Sequence, residues 1–327
     1  MVKAAKKTPK KTAKKTARPA RGGRNGAGRS TGKTVGIIGL GIMGGSFAKN
    51  LVAGGWRVIG YDLKASARRA AARTGVTIAD SATEVAQRTS TVITSLPSAS
   101  ALEATVTAIV DARLPRRLIV EASTFALADK LAAERRLRAA GHVMLDAPVS
   151  GTGAQAKVKD LVIYASGDSA SIRKLKPMYA AFSRQVHDLG AFGNGSRMKY
   201  VANLLVAIHN VASAEAMVLG MMAGLDPKRI FELATAGAGN SRVFELRGPM
   251  MVQNRYSNPT MKNKIWQKDM AVIGEYAAAL GCPTPMFSAT IPVYAATLST
   301  GHAMHDTAAV CAVLENMAGY KRGRKRR

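Results

Sequence analysis

The chain has 327 residues, 47% of them hydrophobic, which predicts a soluble globular protein with room for two domains and a sizeable core. Its net charge of +28 is concentrated at the ends, since residues 1–33 contain twelve Lys or Arg and no acid, and residues 321–327 contain six more. The remaining body carries only about +10, so the charge describes the tails rather than the fold.

The two cysteines, Cys282 and Cys311, are too few for a disulfide framework, which predicts a reducing compartment and a cytoplasmic protein. No Cys/His cluster has metal-ligand spacing, so no metal site is predicted. No apolar run reaches the roughly 18 residues of a membrane span, and the first 30 residues have no apolar leader core. A mitochondrial presequence stays an alternative because the tail lacks acids, although it also lacks the large apolar residues of an amphipathic helix.

Residues 1–33 form a predicted basic tail in which AKKT recurs, and residues 319–327 form a second one. The first tail resembles those of linker-histone-like proteins and cannot bury enough apolar surface to fold. Two interpretations remain open: loose, salt-sensitive binding to nucleic acid through phosphate contacts, or a solubilising tail without a dedicated partner. Because the tail has no aromatic residue to stack on bases, sequence-specific recognition is not expected.

From Thr34 onward, apolar strands alternate with helical segments, which is typical of a doubly wound, mostly parallel α/β sheet of the Rossmann type. The predicted strands are 34–39, 56–61, 76–78, 91–95, 117–122 and 142–146. Two more, 161–166 and 184–189, are expected to complete the same sheet. The Rossmann domain is therefore assigned to residues 34–194.

After Gly195 the strand pattern ends and helical periodicity takes over. Residues 196–224 predict a single helix of roughly 43 Å at 1.5 Å per residue. Further helices are predicted at 226–236, 240–253, 259–280, 285–299 and 303–317. An all-helical second domain is thus expected over 195–318, with the boundary in the glycine-rich segment 190–195.

A G-x-G-x-x-G motif follows the first strand and opens the first helix, and Asp62 ends the second strand 23 residues after the first glycine. This context predicts a dinucleotide site. The motif consists of Gly39, Leu40, Gly41, Ile42, Met43 and Gly44. Asp62 is expected to bind the adenosine ribose and to repel a 2′-phosphate, which favours NAD. Lys64, Arg68 and Arg69 lie just beyond and keep NADP as the alternative.

Several motifs in order give the chain a resemblance to the β-hydroxyacid dehydrogenase family, which includes 3-hydroxyisobutyrate dehydrogenase, L-threonate dehydrogenase and tartronate semialdehyde reductase and is 6-phosphogluconate dehydrogenase-like. They are GLGIMG (39–44), LPS (96–98), EAST (121–124), DAPVSG (146–151), GNGSRMKYVAN (193–203) and KDM (268–270). The segment AGNSRVFELR (238–247) resembles L-threonate dehydrogenase-like members in particular. The resemblance covers about residues 34–318 and implies an NAD(P)-dependent oxidoreductase acting on a small β-hydroxy acid or its semialdehyde.

The resemblance also implies the catalytic pair Lys199 and Asn203, which lie four residues apart and so share one helix face. Lys199 is implied to be the general acid/base, because a lysine in a partly desolvated cleft can have a pKa low enough to accept the hydroxyl proton. Asn203 would orient the lysine and the substrate. Without the family match, a lysine in an apolar helix is more often a surface residue whose ammonium reaches solvent.

Other implied site residues follow strands or turns at the carboxyl edge of the sheet. The nicotinamide side is assigned to Leu96, Pro97, Thr124 and Lys268, and the substrate to Ser123, Ser150, Gly151, Thr152 and Lys268 as well as the catalytic pair. Three departures from the family pattern stand out: Thr152 in place of a glycine, Glu121 in place of Asp, and Ala126 or Leu127 in place of a proline. The first of these bears most on which substrate is bound.

The leading hypothesis is therefore a hydroxyacid dehydrogenase. The alternative from a different class is a nucleic-acid-associated protein that uses the Rossmann body as a scaffold or NAD sensor. Imine reduction is ranked lower, because relatives with that activity usually lack the lysine. Met217, Met221 and Met222 are read as core or subunit packing. The apolar, methionine-rich long helix also predicts a homodimer or tetramer built on the helical domain.

Overall fold

The computed structural model of the protein describes residues 33–323. Residues 1–32 and 324–327 lie outside the described residues, and with them almost the whole first basic tail and the end of the second. The expectations about nucleic acid therefore stay predictions from the sequence.

The first half of the described chain forms a six-stranded parallel sheet with strand order β3-β2-β1-β4-β5-β6. Its strands are β1 (Thr34–Ile38), β2 (Arg57–Tyr61), β3 (Thr77–Ile78), β4 (Thr91–Thr94), β5 (Leu118–Glu121) and β6 (Val143–Asp146). The connecting helices are α1 (Ile42–Ala53), α2 (Ala65–Ala72), α3 (Ala82–Arg88), α4 (Ala99–Asp111) and α5 (Leu127–Ala139). This confirms the predicted fold class. The strand order reverses between β1 and β4, where ligands of open α/β sheets bind.

The central strands are buried on both faces, which explains their continuous apolar sequence. In β1, Val35 and Ile37 face one core, while Ile38 faces the other together with Val92 of β4. Helix α1 inserts Phe47 into the first core, where its ring packs against Phe182 with 4.8 Å between centroids. The glycine turn between β1 and α1 is thus held by packing on both sides of the sheet.

The prediction that 161–166 and 184–189 complete the first sheet is wrong. They form a separate three-stranded sheet with strand order β7-β8-β9, comprising β7 (Val149–Ser150), β8 (Val162–Ala165) and β9 (Gln185–Asp188). Helices α6 (Gly153–Lys157) and α7 (Ser169–Tyr179) connect these strands. The chain leaves β6 at Pro148, which has no N–H to continue the ladder, and a single bridge between Asp146 and Ser166 links the two sheets.

The second half is helical, as predicted. It consists of α8 (Asn194–Met222), α9 (Pro227–Ala236), α10 (Arg242–Gln253), α11 (Asn263–Ala279), α12 (Pro285–Ser299), a 3₁₀ turn (Thr307–Ala309) and α13 (Val310–Met317). Glycines in the left-handed region, such as Gly193 before α8 and Gly224 after it, accompany these helix ends. The division of the chain into two domains at residue 195 stays a prediction.

Helix α8 is the centre of the helical part and packs against α9, α10, α11, α12 and α13. It is long and apolar enough to cross a membrane by length and composition, but 44% of its most apolar stretch is buried inside the protein. In its middle, Asn210 Nδ2 donates to Tyr294 Oη and to the Thr307 carbonyl, both at 2.9 Å. These contacts are those of a core helix.

Arg322, assigned to the second basic tail, is held on the folded body. Its guanidinium donates to the carbonyls of Met251 (2.7 Å) and Val252 (2.9 Å) at the end of α10 and pairs with Glu315 of α13. Burial opposes its charge, but Glu315 outweighs this effect and raises the pKa of Arg322. One of the six C-terminal basic residues therefore has a structural contact rather than a free side chain.

Candidate active site

The glycine turn has the geometry that a bound pyrophosphate requires. Gly39 has a φ of +92°, and a Cβ there would overlap the Ser95 carbonyl oxygen. A Cβ at Gly44 would overlap the Gly39 carbonyl oxygen, so helix and strand could not pack as they do. A Cβ at Gly41 would meet no atom within 4 Å, and the N-terminus of α1 has no side-chain cap. An anion can therefore approach these backbone N–H groups.

Asp62, at the end of β2, binds the backbone of this turn. Its Oδ2 accepts from the Leu40 N–H at 2.7 Å, and its Oδ1 accepts from the Lys64 N–H at 2.7 Å. Arg68 donates to the carbonyls of Asp62 (2.6 Å) and Leu63 (3.1 Å), which brings its guanidinium to the same loop. The loop thus presents one carboxylate and one cation where the adenosine ribose of a dinucleotide binds in this fold.

A buried ion cluster lies at the carboxyl ends of β5 and β6. Lys130 of α5 has no exposed surface and places its Nζ 2.6 Å from Glu121 Oε2 and 2.8 Å from Asp146 Oδ1. The same amine donates to the Ser123 carbonyl at 2.6 Å. Burial alone would lower the pKa of Lys130, but the Asp146 and Glu121 carboxylates outweigh it and hold the pKa above its ordinary value. The Lys130 ammonium therefore links the ends of β5 and β6.

Asp146 also binds the start of α8. Its Oδ2 accepts from the Ser196 N–H at 2.7 Å and its Oδ1 from the Ser196 hydroxyl at 2.8 Å. Ser166 Oγ accepts from the Gly195 N–H at 2.9 Å. A buried carboxylate at a helix N-terminus is favoured by the helix dipole. The ion cluster thus fixes the first turn of the helix that carries Lys199.

Ser123 lies between this cluster and the cofactor side. Its N–H donates to Glu121 Oε1 at 2.9 Å, and its hydroxyl oxygen accepts from the Leu96 N–H at 2.8 Å. The hydroxyl proton is left to donate to a ligand. These bonds bring Leu96, at the end of β4, beside Ser123, at the end of β5, as the sequence predicted for one sheet edge.

Lys199 is buried on α8, with 8% of its surface exposed. Within residues 33–323, no hydrogen bond or ion pair engages its amine. Burial lowers the pKa of Lys199 to about 8, the ammonium groups of Lys268 and Lys130 act in the same direction, and Asp269 opposes them. This amine is therefore partly neutral near pH 8.

Asn203, one turn after Lys199, donates from Nδ2 to Asp269 Oδ2 at 3.0 Å. The other carboxylate oxygen, Oδ1, lies 3.0 Å from Lys268 Nζ. Lys268 also donates to the Thr124 carbonyl and lies 5.2 Å above the Phe125 ring. Asp269 thus joins α8 to α11, and Lys268 joins α11 to the segment after β5.

The 150–152 turn lies in the second sheet and leads into α6. Gly151 has a φ of +128°, and Ser150 pairs with Val162 in the ladder. The Thr152 N–H donates to Gln155 Oε1 at 3.0 Å, so it is not free to hold a carboxylate as the sequence suggested. Packing of Gly153 against Ile42 nevertheless brings this turn next to the glycine motif.

Sequence reasoning assigned no role to three members of this arrangement: Lys130, which it did not single out, and Asp146 and Asp269, which it named only within the DAPVSG and KDM motifs. Lys130 lies in the segment LADKLAAERRLRA, where charged residues read as a solvent face. The signal that could have found it is Glu121, noted only as a departure, because a second acid at a buried strand end needs a cation. Pro97, assigned to the cofactor, is exposed, next to the half-buried Leu96.

Comparisons with known proteins agree with this geometry. Residues 34–190 match the family described as the NAD binding domain of 6-phosphogluconate dehydrogenase, and residues 193–314 match the NAD-binding region of NADP-dependent 3-hydroxyisobutyrate dehydrogenase. The L-threonate dehydrogenase of Cupriavidus necator is 32% identical over 85% of this chain and 95% of its own length. The chain belongs to the β-hydroxyacid dehydrogenase family.

Other members of the family are similar to the same extent. The NAD-dependent L-serine dehydrogenase of Pseudomonas aeruginosa is 31% identical over 85% of this chain and 96% of its own length. The crystal structure of a 3-hydroxyisobutyrate dehydrogenase from Salmonella typhimurium has a TM-score of 0.78 at 30% identity, covering 86% of this chain and 99% of that one. The protein is thus an NAD(P)-dependent oxidoreductase with a Rossmann fold, as predicted.

Substitutions at two glycines of the motif test folding and cofactor binding separately. Gly44→Ala forces a Cβ into the Gly39 carbonyl, so we expect a lower melting temperature and lost NAD binding. Gly41→Ala meets no protein atom, so we expect an unchanged melting temperature but weaker NAD binding, because the methyl group enters the path of the pyrophosphate. Thermal melting and NAD titration check both variants. Equal melting temperatures for the two would contradict this assignment.

Proposed function

We propose that the protein transfers a hydride between NAD and a small hydroxy acid, with Lys199 as general acid/base. The observation that carries the proposal is the buried amine of Lys199, whose pKa burial lowers to about 8, on a helix anchored at the substrate edge of the sheet. A neutral amine can accept a proton, and the corresponding ammonium can return it in the reverse reaction.

The nicotinamide supplies the hydride acceptor when bound. As the alcohol of the hydroxy acid becomes a carbonyl, its O–H proton passes to Lys199 Nζ. Asn203 is a positioning residue in this proposal, because its bond to Asp269 fixes the α8 face on which Lys199 lies. Lys268 reaches the same region from α11 and keeps a second positive charge there, which favours both a bound carboxylate and a neutral Lys199.

The substrate carboxylate is assigned to Ser123 and to the Ser150–Gly151 turn. Ser123 supports this role because its hydroxyl oxygen already accepts from Leu96, which leaves its proton for an anion. The assignment of the Thr152 N–H is dropped for the conformation described, since Gln155 occupies it. Thr124, Leu96 and Pro97 are proposed to line the nicotinamide side.

NAD is proposed as the preferred cofactor. Asp62 lies at the end of β2, and each of its oxygens keeps a lone pair for a ribose hydroxyl after accepting from Leu40 or Lys64. Its charge would repel a 2′-phosphate. Arg68, bound to the adjacent carbonyls, keeps NADP as the second choice.

A cytoplasmic homodimer is proposed as the working form. Helix α8 exposes an apolar stripe that no other element within residues 33–323 covers, consisting of Met198, Val201, Leu205, Ala212, Ala216 and Leu219. Such spacing forms one continuous helix face, and exposed apolar patches of this kind mark protein interfaces. A second copy of the chain is the partner proposed for the stripe.

Replacing Lys199 by Ala removes the proton acceptor, so we expect kcat to fall about 10²- to 10⁴-fold while NAD affinity stays within twofold. In the wild type, kcat/KM for oxidation should rise with pH through about 8, because Lys199 must be neutral to accept the proton. Reduction should follow the opposite trend. Lys228→Ala, an exposed lysine on α9, is the control. Near-normal kcat in Lys199→Ala would refute the role.

Leu205→Glu with Leu219→Glu places two charges on the α8 stripe, so we expect a dimer to dissociate into monomers. Sedimentation velocity at micromolar concentration measures the mass. Val158→Glu introduces a charge at an exposed apolar residue far along the chain from the stripe and should leave the dimer intact. A monomeric wild type would contradict the proposed interface.

A further inference from the structure

Three successive carbonyl groups follow β5, and each accepts a hydrogen bond from a side chain of a different helix. The three pairs, donor first, are Lys130 with Ser123, Lys268 with Thr124, and Tyr200 with Phe125. The donors lie on α5, α11 and α8, so two of the three belong to the helical part. In the third pair, Tyr200 Oη lies 2.5 Å from the Phe125 oxygen. This hydrogen bond links α8 directly to the segment that carries Ser123.

The Tyr200 hydrogen bond joins two hydrophobic cores. Tyr200 is 2% exposed and belongs to the core of the helical part, where its ring packs against Tyr276 with 5.0 Å between centroids. Phe125 is also 2% exposed and belongs to one of the two cores that flank the sheet. A buried hydroxyl or carbonyl group is costly without a partner, and this single bond satisfies one of each. The bond is therefore a fixed link between α8 and the segment after β5.

Tyr200 is the second link between the first turns of α8 and the edge of the sheet. The first link is at Ser196, whose N–H and hydroxyl donate to Asp146 at the end of β6. Tyr200 follows four residues later, so it lies on the same helix face about 6 Å further along the axis. With one link the helix could pivot about Ser196, whereas two links fix its direction. Lys199 lies between the two links in the sequence.

The segment on the other side of this link carries two residues of the proposed site. Ser123, proposed to bind the substrate carboxylate, and Thr124, proposed to line the nicotinamide side, directly precede Phe125. Because peptide groups are planar, a fixed Phe125 carbonyl restricts the backbone dihedral angles beside it. The link therefore couples the position of α8, and with it Lys199, to that of both site residues.

We propose that Tyr200 is a positioning residue that, through its bond to the Phe125 carbonyl, holds Lys199 in place for proton transfer. The proposal rests on the proposed function and deepens it. Tyr200 does not itself exchange a proton with the substrate, because its hydroxyl already donates to Phe125. Adjacent residues of a helix also point about 100° apart, so Tyr200 and Lys199 face different neighbours.

The Tyr200 link keeps its proton over the pH range in which Lys199 titrates. Burial raises the pKa of Tyr200 to about 12, Asp146 acts in the same direction, and Lys130 opposes them. Burial lowers the pKa of Lys199 to about 8. Loss of the Tyr200 hydroxyl should therefore lower the rate at every pH without moving the pH at which the rate changes.

The variant that tests the proposal is Tyr200→Phe, which removes the hydroxyl and keeps the ring and its packing. Oxidation of L-threonate, L-serine and 3-hydroxyisobutyrate is measured with NAD and NADP, and the variants are compared on the acid that the wild type oxidises fastest. We expect kcat to fall about tenfold, since about 1 Å of misplacement can cost roughly 100-fold in rate and the other links remain. The affinity for NAD should stay within about twofold, because the glycine turn is untouched, and the midpoint of the pH profile near 8 should not move.

A primary deuterium isotope effect separates positioning from a loss of folded enzyme. The substrate is deuterated at the carbon that loses the hydride. When the reacting groups are misaligned, hydride transfer slows relative to product release, so the isotope effect on kcat should rise in Tyr200→Phe. A variant that is merely less stable contains less active enzyme, but the isotope effect of each remaining molecule is unchanged.

Tyr294→Phe is the matched control. Tyr294 is 1% exposed, and its hydroxyl donates to the Ala207 carbonyl of α8 at 3.2 Å, inside the helical part. Both variants remove a buried hydrogen bond between a tyrosine and a backbone carbonyl, so both should lower the melting temperature. Only Tyr200→Phe should lower kcat and raise the isotope effect. Tyr276→Phe, which alters the ring beside Tyr200, should change neither.

The outcomes distinguish this role from the proposed function. If Tyr200→Phe keeps the kcat and isotope effect of the wild type, or if Tyr294→Phe changes them equally, the positioning role fails and the proposed function stands. A loss of NAD affinity that parallels the loss of kcat would also overturn the positioning role, because it would assign Tyr200 to cofactor binding. If the wild type oxidises none of the three acids with either cofactor, the proposed function fails, and the role of Tyr200 fails with it.

Discussion

The arrangement of the site depends on one buried ammonium, that of Lys130, held between Glu121 and Asp146. Removing one partner of such a buried pair typically costs about 3–5 kcal/mol, because the other charge is left without compensation. The cluster carries one net negative charge, which the N-terminus of α8 offsets through Ser196. Four elements, β5, β6, α5 and α8, therefore meet at a single set of charges, and Ser123 is fixed by the same set.

In the same region, the pKa values of two buried lysines are shifted in opposite directions. Lys130 has two carboxylates within bonding distance, so its pKa stays above the ordinary value and it keeps its proton. Lys199 has no such partner among residues 33–323, so burial lowers its pKa to about 8. The pKa values differ because, among the described residues, Lys130 has carboxylate partners and Lys199 does not, rather than because one amine is more deeply buried. A structural charge and a titrating amine can thus coexist in one site, and the proposed proton transfer depends on the second.

The sequence predicted the sheet, the helices and the glycine turn because periodicity and glycine placement depend on local chain geometry. It could not predict the second sheet, since nothing local distinguishes the 161–166 strand from one that joins β6. It named Lys199, Asn203 and Ser123 through motifs, but it gave no role to Lys130 or Asp269, whose bonds to Asp146 and Asn203 span 16 and 66 residues. Thr152 was noted as a departure that bears on substrate identity, whereas in the structure its N–H donates to Gln155.

The proposed chemistry depends on Lys199 titrating as a buried amine that has no ion-pair partner within residues 33–323. Its most direct test is an NMR titration of the Lys199 side chain in the full-length protein, assigned by comparison with Lys199→Arg. The account predicts a pKa near 8 for this one amine. A pKa at or above 10, as for a lysine in water, would contradict it.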